Sequence, residues 1–413
     1  MSYDYSHRKS SLKIKLYGKD NLPLAGKNIK IKHIAHEFLF ASGGFDAVEY
    51  AGGNPDGTPL SQEESLFKKE LLEKAFAFNN FATLPFYLGR YESVEGQPDE
   101  KRTKAAAKYF ADRNIRTKGH PLCWHTAWAD WLMEYSNKEI LQKVIQRIER
   151  DVSAFKGLVD TWDVINEVVI MPMFDKYDNA ITRLCKEIGR VPMVKEVFAA
   201  ARRANPNAVL LLNDFMTTEH YEKLIEECLN EGISIDVIGI QSHQHKGFWG
   251  KEKLEDVLAR FSRFNLPLHF TENTIISGDL LPPTVRDLND WQVDEWLSTP
   301  EGEERQAREI EEFYSIIFSH PKVEAMTTWC PIDGRWLKAP AGFLRLDNSE
   351  KPSYHVLKNK ITKEWMTELE VNSSSEGVIS FNGFRGKYEI NCDSFQSSFV
   401  LDGKKDSLDL MLV

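Results

Sequence analysis

Long basic runs are absent from this sequence of 413 residues, whose formal charge is −10. Nucleic-acid binding needs clustered Lys and Arg to displace counterions, so no nucleic-acid partner is expected. No apolar stretch reaches the roughly 18 residues that a membrane-spanning helix requires, so no membrane partner is expected either. Cys123, Cys185, Cys228, Cys330 and Cys392 are odd in number and widely spaced, and no C-x-x-C pair occurs. They read as reduced, mostly buried thiols rather than a disulfide framework or a metal site. No G-x-G-x-x-G or P-loop run follows any strand-like segment, which removes the dinucleotide class. The amino terminus, 1–9, lacks an apolar signal core, so the sequence as it stands reads as cytoplasmic. A secreted chain already trimmed of its leader would read the same.

Apolar residues make up 42% and aromatics 11%, with 10 tryptophans. That supplies a sizeable core and leaves an aromatic surplus of the kind that stacks on sugars. Residues 12–17 and 28–32 alternate apolar and polar around a Gly-Lys-Asp-Asn turn, and this predicts a β-hairpin or short meander. Beyond it, strand-like runs at 38–45, 81–87, 116–124, 161–168, 209–215, 236–243, 267–274 and 325–332 interleave with helical patterns at 62–78, 101–113, 138–155, 192–203, 219–231, 254–264 and 303–318. Eight strands alternating with helices predict an α/β fold, a (β/α)8 TIM barrel. From about 370 the composition shifts to a linker-like Val-Asn-Ser-Ser-Ser-Glu-Gly, followed by short strand signals. The expected organisation is an accessory hairpin at 1–34, a catalytic barrel at 35–365 and a carboxyl-terminal β segment at 366–413. The two terminal segments are expected to pack together as one small β unit.

Catalytic groups of such barrels project from the carboxyl ends of the strands. Polar and aromatic residues crowd those ends here: Gly119-His120-Pro121-Leu122-Cys123-Trp124-His125, Asn166-Glu167, Asn213-Asp214, Gln241-Ser242-His243-Gln244-His245, Glu272, and Trp329 with Trp336 beyond it. A lone strand histidine is usually a packed core residue. Polar termini on six strands are harder to explain as packing, because every buried polar group needs a partner. Glu167 and Glu272 each close an apolar, β-prone stretch, and two carboxylates facing each other across one rim are the minimum equipment for glycosidic bond cleavage.

This constellation resembles glycoside hydrolase family 10, typified by β-1,4-xylanases, through GHPLCWH, WDVINE, LNDF, GIQSHQH, TEN, TTWCPIDG and KPSYHVLK in the family's order across about 35–360. The resemblance implies a retaining mechanism with Glu167 as general acid/base and Glu272 as nucleophile. It implies a carbohydrate substrate and no metal or organic cofactor. Asn166 would hold the 2-hydroxyl of the sugar, and His243 would support Glu272 with Gln241 beside the pair. His120 and Trp124 would line the sugar site, under a roof of Trp329 and Trp336. Trp162 and Trp124 would form part of the apolar surround of the acid, and His125 and His245 would support these groups from behind.

The second barrel strand departs from the family. Members carry Glu-Asn and then Lys there, contacting the sugar at the −2 subsite, where this chain has Leu84, Pro85 and Leu88. Ala127 stands where the family often has Gln. A sugar hydroxyl buried without a partner costs about 1–3 kcal/mol, so the glycone side is expected to be rebuilt, with Tyr87, Arg90 and Tyr91 as replacement contacts. Three functions follow: hydrolysis of β-1,4-xylan or xylo-oligosaccharides, the same mechanism on another β-glycoside such as an aryl or plant glycoside, or an inactive sugar-binding barrel. The oligomeric state is not legible.

Overall fold

The computed structural model describes residues 3–393 and 395–412. Two long strands come first, β1 (Lys9–Tyr17) and β2 (Asn28–His36). They are followed by β3 (Leu39–Gly43), β4 (Phe81–Pro85), β5 (Arg116–His120), β6 (Thr161–Asn166), β7 (Val209–Asp214), β8 (Val237–Gln244), β9 (Leu268–Ile275) and β10 (Val323–Thr328). These eight close into a parallel barrel in the order β10-β3-β4-β5-β6-β7-β8-β9. The strands are buried on both faces, as a barrel wrapped by helices demands. Several helices start where side-chain caps satisfy their free N–H groups. Ser61 and Glu64 form a capping box before Gln62–Ala75, and Ser136 and Glu139 form another before Asn137–Ala154. Thr299 caps Pro300–Phe318 with proline in the first turn. Short helices at Asp46–Gly52, Leu88–Tyr91, Ala180–Ile188 and Pro352–Asn359 add to the predicted set.

The terminal strands correct one expectation. β1 and β2 do not form a hairpin with each other. β1 pairs with β12 (Val378–Phe384) and β15 (Ser407–Met411), while β2 pairs with β11 (Glu368–Asn372) and β13 (Gly386–Cys392), with β14 (Phe395–Leu401) beyond. The two ends of the chain therefore interleave in two sheets around a shared apolar core that includes Ile14, Leu16, Ile29, Ile31, Ile379, Tyr388 and Ile390. Alternation predicts strands and their buried faces, but it does not say which strands pair. The linker-like segment is also partly ordered into sheet, since β11 runs through Val371 and Asn372. All five cysteines are buried and free. Among the described residues, no helix is long and apolar enough to cross a membrane, and no cluster of His, Cys, Asp and Glu is arranged to hold a metal ion.

Candidate active site

The barrel's carboxyl rim is shaped from β5 and β6 upward. Lys118 and His120 are two residues apart on β5, so they point to the same side. Between them Gly119 leaves room for a ring, because a Cβ there would lie 2.2 Å from the Trp162 indole. Lys118 donates to Asp163 Oδ2 at 2.6 Å, and His120 Nδ1 donates to the same oxygen at 2.7 Å. All three side chains are almost completely buried. Burial would raise the Asp163 pKa, but Lys118 and His120 outweigh it and hold the carboxyl below its ordinary value. The far side of the His120 ring, Nε2, stands 3.9 Å from Glu272 Oε1.

Glu272 is 4% exposed on β9. Asn213 Nδ2 donates to its Oε1 at 2.9 Å, and His243 Nε2 donates to its Oε2 at 3.2 Å. Burial pushes its pKa up, but His120, His243 and Lys118 together bring the carboxyl below the usual value, which favours the anion. Thr274 Oγ1 lies 3.1 Å from His243 Nδ1 and fixes the ring.

Glu167 follows β6 in the opposite environment. Its backbone takes φ 57°, a left-handed conformation that is uncommon away from glycine and is often found where a functional group is held against local preference. Its N–H still donates to Asn213 O at 2.9 Å. Trp124 Nε1 donates to Oε2 at 2.9 Å and Gln241 Nε2 to Oε1 at 3.2 Å. Burial, and after it the negative charge of Glu272, raise its pKa to about 8, against the pull of these two donors. Asn166 Oδ1 accepts from Asn213 Nδ2 at 2.8 Å and from Gln241 Nε2 at 3.1 Å, so one amide network joins both carboxylates. Register shifts in β6 and β8, between Asp163 and Ile165 and between Ile240 and Gln241, help to aim these groups.

Aromatic rings surround the pair. Trp329 lies 5.0 Å from His120, and Trp336 lies 4.4 Å from His243. Tyr87 packs between His120 at 5.5 Å and Trp124 at 5.8 Å. The structure thus gathers Glu167, Glu272, His120, Trp124, Asn166, Gln241, His243, Trp329, Trp336 and Tyr87 at one place. Arg90 is exposed beside them.

Three expectations need correction. Tyr91 is 4% exposed and packs against Phe86 in the barrel core, so it does not face the cleft. Trp162 packs outward on Phe86 and Phe155, because alternation along β6 puts it opposite Asp163, and it gives Glu167 no surround. Leu84 and Leu88 are core residues rather than cleft wall. Lys118 and Asp163 complete the site without having been singled out, and Asn213, named only as a polar strand end, joins the two carboxylates. The available signal was a lysine and an aspartate inside two adjacent buried strands, where a charge survives only when paired. His125 and His245 are buried with unpartnered ring nitrogens, and burial lowers their pKa to about 4 and about 3.

The sequence profile described as glycosyl hydrolase family 10 matches residues 89–360. The chain belongs to that family. It is 28% identical over 222 residues to the endo-1,4-beta-xylanase/feruloyl esterase of Xylanibacter ruminicola, across 47% of this chain and 30% of that protein's length. It is 25% identical over 266 residues to endo-1,4-beta-xylanase B of Paenibacillus barcinonensis, across 60% of this chain and 76% of the relative. A solved structure described as GH10 from Paenibacillus barcinonensis superposes with a TM-score of 0.62 at 21% identity, covering 80% of this chain and 95% of that one. That likeness is one of fold. This family 10 glycosyl hydrolase thus carries its rim of carboxylates on the barrel expected of it.

Proposed function

We propose that the chain hydrolyses β-glycosidic bonds of xylan or xylo-oligosaccharides with retention of configuration, through a covalent glycosyl-enzyme on Glu272. The observation that carries this reading is the split between the two carboxyls: Glu167 holds its proton up to about pH 8, while Glu272 is held ionised. An acid and a nucleophile on one rim need that difference.

In the first step the Glu167 proton passes to the leaving-group oxygen while Glu272 attacks the anomeric carbon. Asn166 holds the neighbouring sugar hydroxyl, and its carboxamide oxygen is already occupied by Asn213 and Gln241. Its amide nitrogen is therefore the group that meets the substrate. His243 and Asn213, which stabilise the anion, release it as the bond to carbon forms. In the second step Glu167, now ionised, takes a proton from water, which breaks the glycosyl ester. kcat/KM should follow a bell in pH. Its basic limb falls near 8 as Glu167 loses the acid proton. Its acid limb falls below the ordinary glutamate value of 4.5 as Glu272 becomes protonated.

Proton NMR of the first-formed sugar tests the mechanism, because a β-anomer appearing first is retention. An α-anomer appearing first would sink the double displacement. A second reading keeps the mechanism and changes the substrate to another β-glycoside. The half-buried Tyr87, packed beside His120 in the segment where the family's polar sugar contacts are missing, favours it. Relative rates on aryl β-xylosides and aryl β-glucosides separate the two.

A further inference from the structure

The segment after β4 is fastened in place. Gly89 N donates to Ala127 O at 2.9 Å, and a Cβ on Gly89 would meet Trp128 O at 2.3 Å, so only glycine allows this approach. Arg90 N and Tyr91 N both donate to Tyr87 O, at 2.9 and 2.8 Å. The Tyr87 side chain is thereby set between the imidazole that neighbours Glu272 and the indole that donates to Glu167. Its hydroxyl makes no hydrogen bond among the described residues, although both carboxylates lie within electrostatic reach and, after burial, help to raise its pKa.

Tyr87 also belongs to an unbroken arc of rings. Trp124 to Tyr87 is 5.8 Å, Tyr87 to Phe45 is 6.3 Å, and Phe45 to Trp329 is 5.2 Å. These residues follow β5, β4, β3 and β10, which are neighbours in the barrel. A pyranose passing between two ring faces needs about 7–8 Å, two carbon contact distances of about 3.5–4.0 Å. No adjacent pair in the arc offers that gap. On the other side of the acid the rim is open: Met173 and Tyr177 after β6 and Phe215 after β7 are 61%, 45% and 39% exposed. The leaving-group oxygen must reach Glu167, so the leaving group lies toward the open side and the glycone toward the arc.

We propose that the arc centred on Tyr87 closes the glycone side behind a single sugar, with the Tyr87 hydroxyl hydrogen-bonded to that sugar, so that the enzyme removes one residue at a time from a chain end. This rests on the hydrolase reading above. The test compares p-nitrophenyl β-xyloside with p-nitrophenyl β-xylobioside on the whole protein, following xylose, xylobiose and nitrophenol in the first turnovers. Direct nitrophenol release from the xyloside is expected to be faster by about tenfold or more in kcat/KM. The xylobioside is expected to yield xylose first, with nitrophenol after a lag. Tyr87→Ala is expected to open the arc, so that intact xylobiose appears without the lag. Tyr87→Phe keeps the ring, so the order of products is expected to stay unchanged while kcat/KM on the xyloside drops by about tenfold. Prompt release of intact xylobiose by the wild-type protein overturns the proposal whatever the variants do. Hydrolysis of neither substrate, with both recovered intact, overturns the xylan reading, and this proposal with it.

Discussion

The barrel rim and the terminal β-sandwich are built by opposite rules. In the sandwich, β1 and β2 alternate buried apolar residues with exposed lysines, and the buried phenol of Tyr388 donates to Phe384 O at 2.6 Å. At the rim, Lys118, His120, Asp163 and Glu272 are buried together, and Glu167 adopts a left-handed backbone. Some rim atoms, such as both ring nitrogens of His245, have no protein partner at all. The sandwich gains its stability mainly from apolar burial, although His33 of β2 is also buried there with one ring nitrogen unpartnered. At the rim, stability is given up so that charge can be placed in a low-dielectric setting where it acts strongly on a substrate.

The contrast is sharpest for Glu272. Glu272→Ala is expected to reduce kcat by about 10^4-fold or more while leaving the fold intact, measured on an aryl glycoside. A loss smaller than about tenfold would remove Glu272 from the chemistry. Asp163→Ala strands the buried Lys118 ammonium, so a stability loss of about 3–5 kcal/mol in urea unfolding is expected. The loss of His120 orientation should lower activity as well. If the lost stability were under about 1 kcal/mol, the buried Lys118–Asp163–His120 unit would not be the support described above.

Ile31→Ala in the sandwich core is expected to cost about 2–5 kcal/mol with kcat unchanged, because it removes apolar burial far from any reacting group. A matching fall in kcat would break the separation between the two regions. Glu167→Gln is expected to abolish acid catalysis yet stabilise the protein at high pH. The folded carboxyl binds its proton up to about pH 8, whereas an unfolded one releases it near 4.5. Wild-type stability therefore declines as pH rises through that window. The glutamine variant should melt about 2–5 °C higher at pH 8 and show no difference near pH 4. Least of all should Lys30→Ala matter. The Lys30–Glu370 pair on the outer sandwich face is more than half exposed on both sides, so under about 0.5 kcal/mol is expected.

Much of this could be read from the chain. Each of the eight barrel strands and seven long helices was announced by its apolar pattern. The strand ends named Glu167, Glu272, His120 and His243 because polar groups at the end of a buried strand need a reason to be there. Lys118 and Asp163 escaped notice since a charge inside a strand acquires meaning only once its partner strand is known. Tyr91 and Leu88 were misread for a related reason. In a turn after a strand, one residue faces the cleft and its neighbour faces the core, and the backbone path alone decides which.

The sequence by itself determined the barrel, the family and the carboxylate pair, because periodicity and strand-end polarity are local properties of the chain. Only the tertiary structure decided which terminal strands pair, since alternation marks a buried face without naming its partner. It also set the surroundings that raise the pKa of Glu167 and lower that of Glu272, and the ring spacings on which the proposed closure of the glycone side rests. Those depend on distances between β3, β4, β5, β9 and β10, where burial and Coulomb interactions act between residues far apart in the chain.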